Sequence, residues 1–221
     1  MQQKIIICRH AESLEDIDNN IYDLLNDLDI PLTEKGIIQS KSFGGQLPLI
    51  IDTTTTVKFF TSPGLRNRQT LDHIIPMMPS SLDYSVEVEP LIVKQDWGNI
   101  TSFNRAGIEE ERYRTGVLRY CFPTGERATA MMQRLSHFKN KIIDLQSSQP
   151  CNIVILSHGF EFRVLLMLIL GWEEEYFESL ANLNNCEYRI LFKQDNGEYS
   201  LNKPLKCHGL PITRLQSQFH I

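Results

Sequence analysis

The 221-residue sequence lacks most of the features that settle a class quickly, and each shortage excludes something. Its five cysteines, Cys8, Cys121, Cys151, Cys186 and Cys207, are odd in number, scattered and without a CxxC pair. A disulfide scaffold and a zinc ribbon are both excluded on that pattern. The longest apolar run, residues 164–170, is far too short to span a bilayer, and MQQKIIICRH has no signal-peptide pattern. There is no basic excess: 22 Lys and Arg stand against 27 Asp and Glu, a net charge of −5. That balance gives no broad electrostatic footing for nucleic acid. Internal repeats and low-complexity tracts are missing as well. The expectation is a soluble cytoplasmic chain folding as a single domain over 1–221, with no nucleic-acid or membrane partner.

What is present is an alternation of strands and helices. Apolar residues make up 42% of the chain, enough for a sizeable core. Residues 4–8 (KIIIC), 57–61 (VKFFT) and 152–157 (NIVILS) read as strands covered on both faces, as in a mostly parallel sheet. Helices are predicted over 34–47, 64–75, 126–145, 161–170 and 173–180, with Ser62 as N-cap and Pro63 in the first turn of the second. A late hairpin is predicted from strands 186–193 and 199–202, turned by Asp195-Asn196-Gly197. Residues 95–123 have no clean period and read as a cap-like insertion over the sheet, and the last dozen residues as a surface tail. The pattern is α/β.

In open α/β sheets, ligands gather at the carboxyl ends of the strands. Here three such ends carry Arg9-His10, Ser62-Pro63 ahead of Arg66, and His158-Gly159. Two histidines, two arginines and a helix N-terminus meeting at one point make a site for a phosphoryl dianion. Each residue alone has a plainer reading, as a hydrogen-bonded loop histidine or a solvated arginine; four on three strand ends do not.

These residues resemble the histidine phosphatase superfamily, the phosphoglycerate mutase-like family. The matches are Arg9-His10-Ala11-Glu12-Ser13 (family R-H-G-E-S/T), Pro31-Leu32-Thr33 to Gly36 (P-L-T-x-x-G), and Ser62-Pro63 through Arg66 to Gln69-Thr70. Asp96-Trp97-Gly98-Asn99, Phe122 to Glu126 and Ser157-His158-Gly159 follow in the family's order, most like a fungal and plant branch. The resemblance implies a three-layer α/β/α sandwich and a small phosphorylated substrate. His10 would attack phosphorus, with Arg9, Arg66 and His158 holding the phosphoryl oxygens. Water would then hydrolyse the phosphohistidine. Neither metal nor other cofactor is implied.

The sequence departs from the family at the acid. Where the family has a glutamate four residues before the glycine matched by Gly98, this chain has Lys94. Crowding by Arg9 and Arg66 would lower the pKa of Lys94, making it an acid or a further phosphate ligand. Asp96 is the nearest substitute carboxylate, though a turn residue before Gly98 is its plainer role; Glu126 and Glu161 lie further off. Asp16 replaces the family's asparagine. Between Ala11 and Glu34 there are eight acidic residues and no Lys or Arg. If that loop borders the pocket it disfavours polyanions; otherwise it is a solvated loop. Trp97, Tyr113 and Phe122 are candidates for the pocket wall.

Two function classes follow. One is a phosphatase working through His10 with a non-standard general acid, so that aryl and acyl phosphates suffer less than alkyl phosphates. The other is a catalytically impaired binder of phosphorylated ligands. A third reading rests on Cys121 and Arg127, spaced Cys-x5-Arg as in cysteine phosphatases. That spacing arises easily by chance, and Pro123 removes one of the N–H donors such a loop needs.

Overall fold

A computed structural model describes residues 3–208, so the predicted tail, with His220, lies outside the described residues. In chain order the elements are β1 (Lys4–Arg9), α1 (Leu14–Ile17), α2 (Ile21–Leu24), α3 (Glu34–Ile50), β2 (Val57–Thr61), α4 (Leu65–Ile74) and β3 (Tyr84–Val88). There follow α5 (Arg105–Thr115), α6 (Ala128–Ser148), β4 (Asn152–Ser157), α7 (Gly159–Leu170), α8 (Glu174–Ser179), β5 (Tyr188–Lys193) and β6 (Tyr199–Leu201). The strands form one sheet in the order β3-β2-β4-β1-β5-β6. The first four run parallel, β5 runs antiparallel to β1, and β6 antiparallel to β5.

Strand alternation divides the core between two helical layers. Ile5, Ile7, Phe60, Ile153 and Ile155 face one way and pack with Leu135 and Phe138 of α6 and Phe162 of α7. Ile6, Cys8, Phe59, Val154 and Leu156 face the other way, against Phe43 and Leu47 of α3 and Leu71 of α4. The unalternating runs are therefore apolar because both faces are covered. Burying each such side chain contributes roughly 1.5–3 kcal/mol.

Two local expectations need correction, and two elements have no counterpart in the sequence reading. The helix after β2 is capped by Gly64 rather than Ser62, because the Ser62 hydroxyl is taken by His158. β5 opens at Tyr188, since Cys186 has a φ of 56° and breaks the extended run. β3 has no counterpart in the sequence reading: it is an exposed edge strand, YSVEV, without an apolar run. Residues 95–123 hold one helix, α5, whose buried member is Arg112. The predicted hairpin turn is present, with Gly197 at a φ of 86°.

Candidate active site

The sheet register sets the centre of the site. β1 and β4 are parallel neighbours with Arg9 opposite Ser157, so the next residues, His10 and His158, leave the sheet side by side. Their ring centroids are 5.2 Å apart. β2 lies on the other side of β4 with Thr61 opposite Leu156, which delivers Ser62 to the same edge. Gly36, at the start of α3, lets the loop after His10 close in: a Cβ there would lie 2.0 Å from the Glu12 carbonyl oxygen.

Both histidines are buried and held as single tautomers. His10 Nδ1 lies 2.8 Å from the Ala11 carbonyl oxygen, which can only accept, so Nδ1 carries the proton and Nε2 keeps its lone pair. Burial, then the charges of Arg66 and Arg9, lower the His10 pKa to about 3 against the smaller opposing effect of Glu15 and Asp16. The ring is therefore neutral at physiological pH. In His158, Nδ1 accepts from Arg66 Nη2 at 3.3 Å and Nε2 donates to Ser62 Oγ at 2.9 Å. Its pKa is also held well below the ordinary value, by burial first and Arg66 next.

Arg66 is fully buried in the first turn of α4. Its Nη1 donates to the Asp27 carbonyl oxygen at 2.6 Å, its Nη2 lies 3.0 Å from Asp27 Oδ2, and its Nε lies 3.1 Å from Glu15 Oε1. Arg9 Nη2 donates to Asp16 Oδ1 at 2.6 Å and Nη1 to the Leu183 carbonyl at 2.8 Å. The acidic loop thus borders the site, and its carboxylates engage both arginines.

Lys94 points into this cluster. Its Nζ lies 2.7 Å from Glu15 Oε2 and 2.5 Å from Asp27 Oδ1, and donates to Tyr22 Oη at 2.9 Å. Burial would lower its pKa, but the carboxylates of Glu15 and Asp27 outweigh that and raise it. The expectation of a lysine acidified by Arg9 and Arg66 is corrected: two carboxylates intervene. Glu15 is the residue the sequence reading missed. Burial would raise its pKa, yet Lys94, Arg66 and His10 hold it well below the usual carboxylate range. Its Oε1 lies 3.6 Å from His10 Nε2. The available signal was Lys94 itself, since a cation in a glutamate's place calls for a carboxylate partner.

Of the other candidates for the acid only Glu161 reaches the pocket. Asp96 is exposed outside the pocket, and its Oδ1 accepts from the Gly98 N–H at 2.7 Å; Gly98, with a φ of 75°, supplies the turn. Glu126 is bound by Arg134 at 2.7 and 2.8 Å. Glu161 is buried at the start of α7, where Oε1 accepts from the Gln95 N–H at 2.6 Å and burial raises its pKa. Cys121 is exposed, with Sγ directed at the carbonyl of Arg119, two residues before it. Among the described residues no cluster of His, Cys, Asp and Glu has the makings of a metal site, and no helix is long and apolar enough to cross a membrane.

These side chains surround a cavity of about 140 Å³. Trp97 and Tyr113 line it, whereas Phe122 lies behind Trp97 with ring centroids 5.2 Å apart. α5 adds Arg105 and Arg112, the latter stacked 4.2 Å over the Phe160 ring. A larger groove, of about 360 Å³, lies between β3 and α6 beside Lys141 and Glu87, away from this chemistry.

The model of the histidine phosphatase superfamily (branch 1) matches residues 5–203. A phosphoglycerate mutase-like protein of Arabidopsis thaliana is 33% identical over 217 residues, covering 90% of this chain and 77% of the relative. A broad-range acid phosphatase of Saccharomyces cerevisiae is 34% identical over 116 residues, covering 50% of this chain and 35% of the relative. Among solved structures, phosphoserine phosphatase of Entamoeba histolytica in complex with 3-phosphoglyceric acid aligns with a TM-score of 0.68 at 20% identity, covering 92% of this chain and 97% of that one.

Proposed function

The chain belongs to the histidine phosphatase superfamily, and from that membership we propose that it hydrolyses a small phosphorylated compound through a phosphohistidine on His10. One observation carries the reading. The Nδ1–H of His10 is committed to the Ala11 carbonyl, which leaves a neutral Nε2 as nucleophile beside Arg66 and His158. A phosphoryl group entering there exchanges places with the carboxylates on Arg9 and Arg66, and its equatorial oxygens take over those guanidinium donors. The cations at hand are side chains, and the proposal needs no metal. Arg9, Lys94, Arg105 and Arg112 on the cavity wall are matched by Glu15, Asp16, Glu109 and Glu161. That balance disfavours a second phosphate on the substrate, and with it mutase chemistry.

A second reading, a binder impaired in turnover, follows from Lys94 standing where the family has its acid glutamate. The test is hydrolysis of 4-nitrophenyl phosphate by the native protein, His10→Ala and Cys121→Ser, with acid-labile phosphate trapped on the protein. Loss of turnover and of trapped phosphate in His10→Ala alone is the expected result. Full turnover by His10→Ala would overturn the proposal, and an inert native protein that still binds inorganic phosphate would establish the binder.

A further inference from the structure

We infer that Glu15 supplies the acid–base carboxylate of both phosphoryl-transfer steps, replacing from another loop the glutamate whose family position is occupied by Lys94. The inference rests on the phosphohistidine reading of His10. Three observations lead to it. Glu15 Oε1 lies 3.6 Å from His10 Nε2, so it borders the place where phosphorus must arrive. The second oxygen, Oε2, is tied down by Lys94 at 2.7 Å and by the Tyr22 hydroxyl, which holds Oε1 between Arg66 Nε, at 3.1 Å, and His10. Lys94 is itself fixed by Asp27 at 2.5 Å and serves as a positioning residue. Reach is the first requirement of a proton-transfer group, and Asp96, which caps a turn, and Glu126, held by Arg134, lack it; Glu161 lines the same cavity with Oε2 unpaired, and is the rival the experiment must separate from Glu15.

The proton cycle balances. His10 Nε2 forms the N–P bond as the ester P–O bond breaks, and the leaving oxygen takes the proton from Glu15. Water then attacks phosphorus, Glu15 takes the water proton, and the N–P electron pair returns to His10. Glu15 rests ionised, so its proton must be brought in. A phosphate ester has a second pKa near ~6, and its monoanion brings that proton with it. As the phosphoryl group takes Arg66, Glu15 loses a cationic neighbour and gains an anionic one, and both changes raise its proton affinity. The remaining charged and titratable groups around it are His10, His158, Lys94, Asp27, Tyr22 and Arg105.

The experiment compares an alkyl phosphate, glycerol 2-phosphate, with 4-nitrophenyl phosphate in the native protein, Glu15→Gln, Glu161→Gln and His10→Ala. Nitrophenolate leaves without a proton, but the water step needs the base with either substrate. Glu15→Gln is expected to lose alkyl turnover by about 100-fold or more and, on the aryl substrate, to release one nitrophenolate per protein before slowing. Phosphate accumulating on His10 in that variant is the second readout. Glu15→Asp keeps the charge and folding but draws the oxygen back, and it should lose alkyl kcat rather than raise KM. Alkyl turnover unchanged or faster in Glu15→Gln would overturn the inference, as would its selective loss in Glu161→Gln. His10→Ala as active as the native protein would overturn the phosphohistidine reading instead.

Discussion

Replacing Lys94 by methionine removes one charge of a buried cluster and keeps most of the side chain's volume. Lys94 holds Glu15 at 2.7 Å and Asp27 at 2.5 Å, and its side chain is 18% exposed. Removing one partner of a buried ion pair costs about 3–5 kcal/mol, because the other charge stays buried without compensation. Here Arg66 remains within 3.1 Å of Glu15 and 3.0 Å of Asp27, which places the loss at the lower end. A destabilisation of about 3 kcal/mol lowers the Tm of a domain this size by roughly 6–12 °C. The dependence on pH is diagnostic. Glu15 and Asp27 have folded pKa values below their ordinary ones, so the stability they add is present above the ordinary carboxylate range and lost as pH falls through the lowered values. The Lys94 pKa is raised, so its contribution is full at neutrality and lost only as pH rises through the folded value. The deficit of Lys94→Met should therefore be full near pH 7 and shrink below about pH 4, in the usual carboxylate range. Thermal unfolding across that range measures it, and a cycle with Asp27→Asn should show coupling of at least ~1 kcal/mol. A deficit under about 1 kcal/mol, or one that does not change with pH, would refute the cluster as drawn.

Two further outcomes follow from local geometry. Gly36→Ala places a Cβ 2.0 Å from the Glu12 carbonyl oxygen, and both lie on backbone that cannot yield cheaply. Its expected cost is about 3 kcal/mol or more, read by denaturant unfolding; a neutral substitution would contradict the packing of α3 on the loop. His10, with a pKa lowered to about 3, stays neutral where a free histidine would be charged. The pH profile of kcat/KM for 4-nitrophenyl phosphate should thus have no acid limb near ~6.5, and an ionisation there assigned to His10 by NMR would contradict its burial.

The strands were legible because their physics is local. KIIIC, VKFFT and NIVILS are apolar throughout, and both faces of those strands are covered. β3 was illegible for the opposite reason. At the sheet edge its residues are all exposed, so no core constrains YSVEV and only the backbone pairing with β2 marks it as a strand. α5 hid because its buried face carries Arg112, a cation stacked on Phe160 and Trp97 where an apolar residue would show a period. His10, His158, Arg9 and Arg66 could be found from strand ends, since register alone brings them together. Glu15 left only the indirect signal of Lys94, because the contact that defines it spans 79 residues and α1 is too short to show a period.

The pairing of β1 with β4 has a consequence for how such a site diversifies. His10 and His158 are welded to adjacent central strands, and their separation is set by the interstrand spacing, which no loop substitution alters. Glu15 reaches inward from the four-residue helix α1, Asp27 from a single helical turn and Lys94 from a connection, none of them part of the sheet. His10 is therefore expected in the last part of the protein to open in hydrogen exchange, and Glu15, Asp27 and Lys94 in parts that open at lower cost. A carboxylate and its counter-charge can be exchanged among such segments, while the histidine pair stays where the sheet holds it.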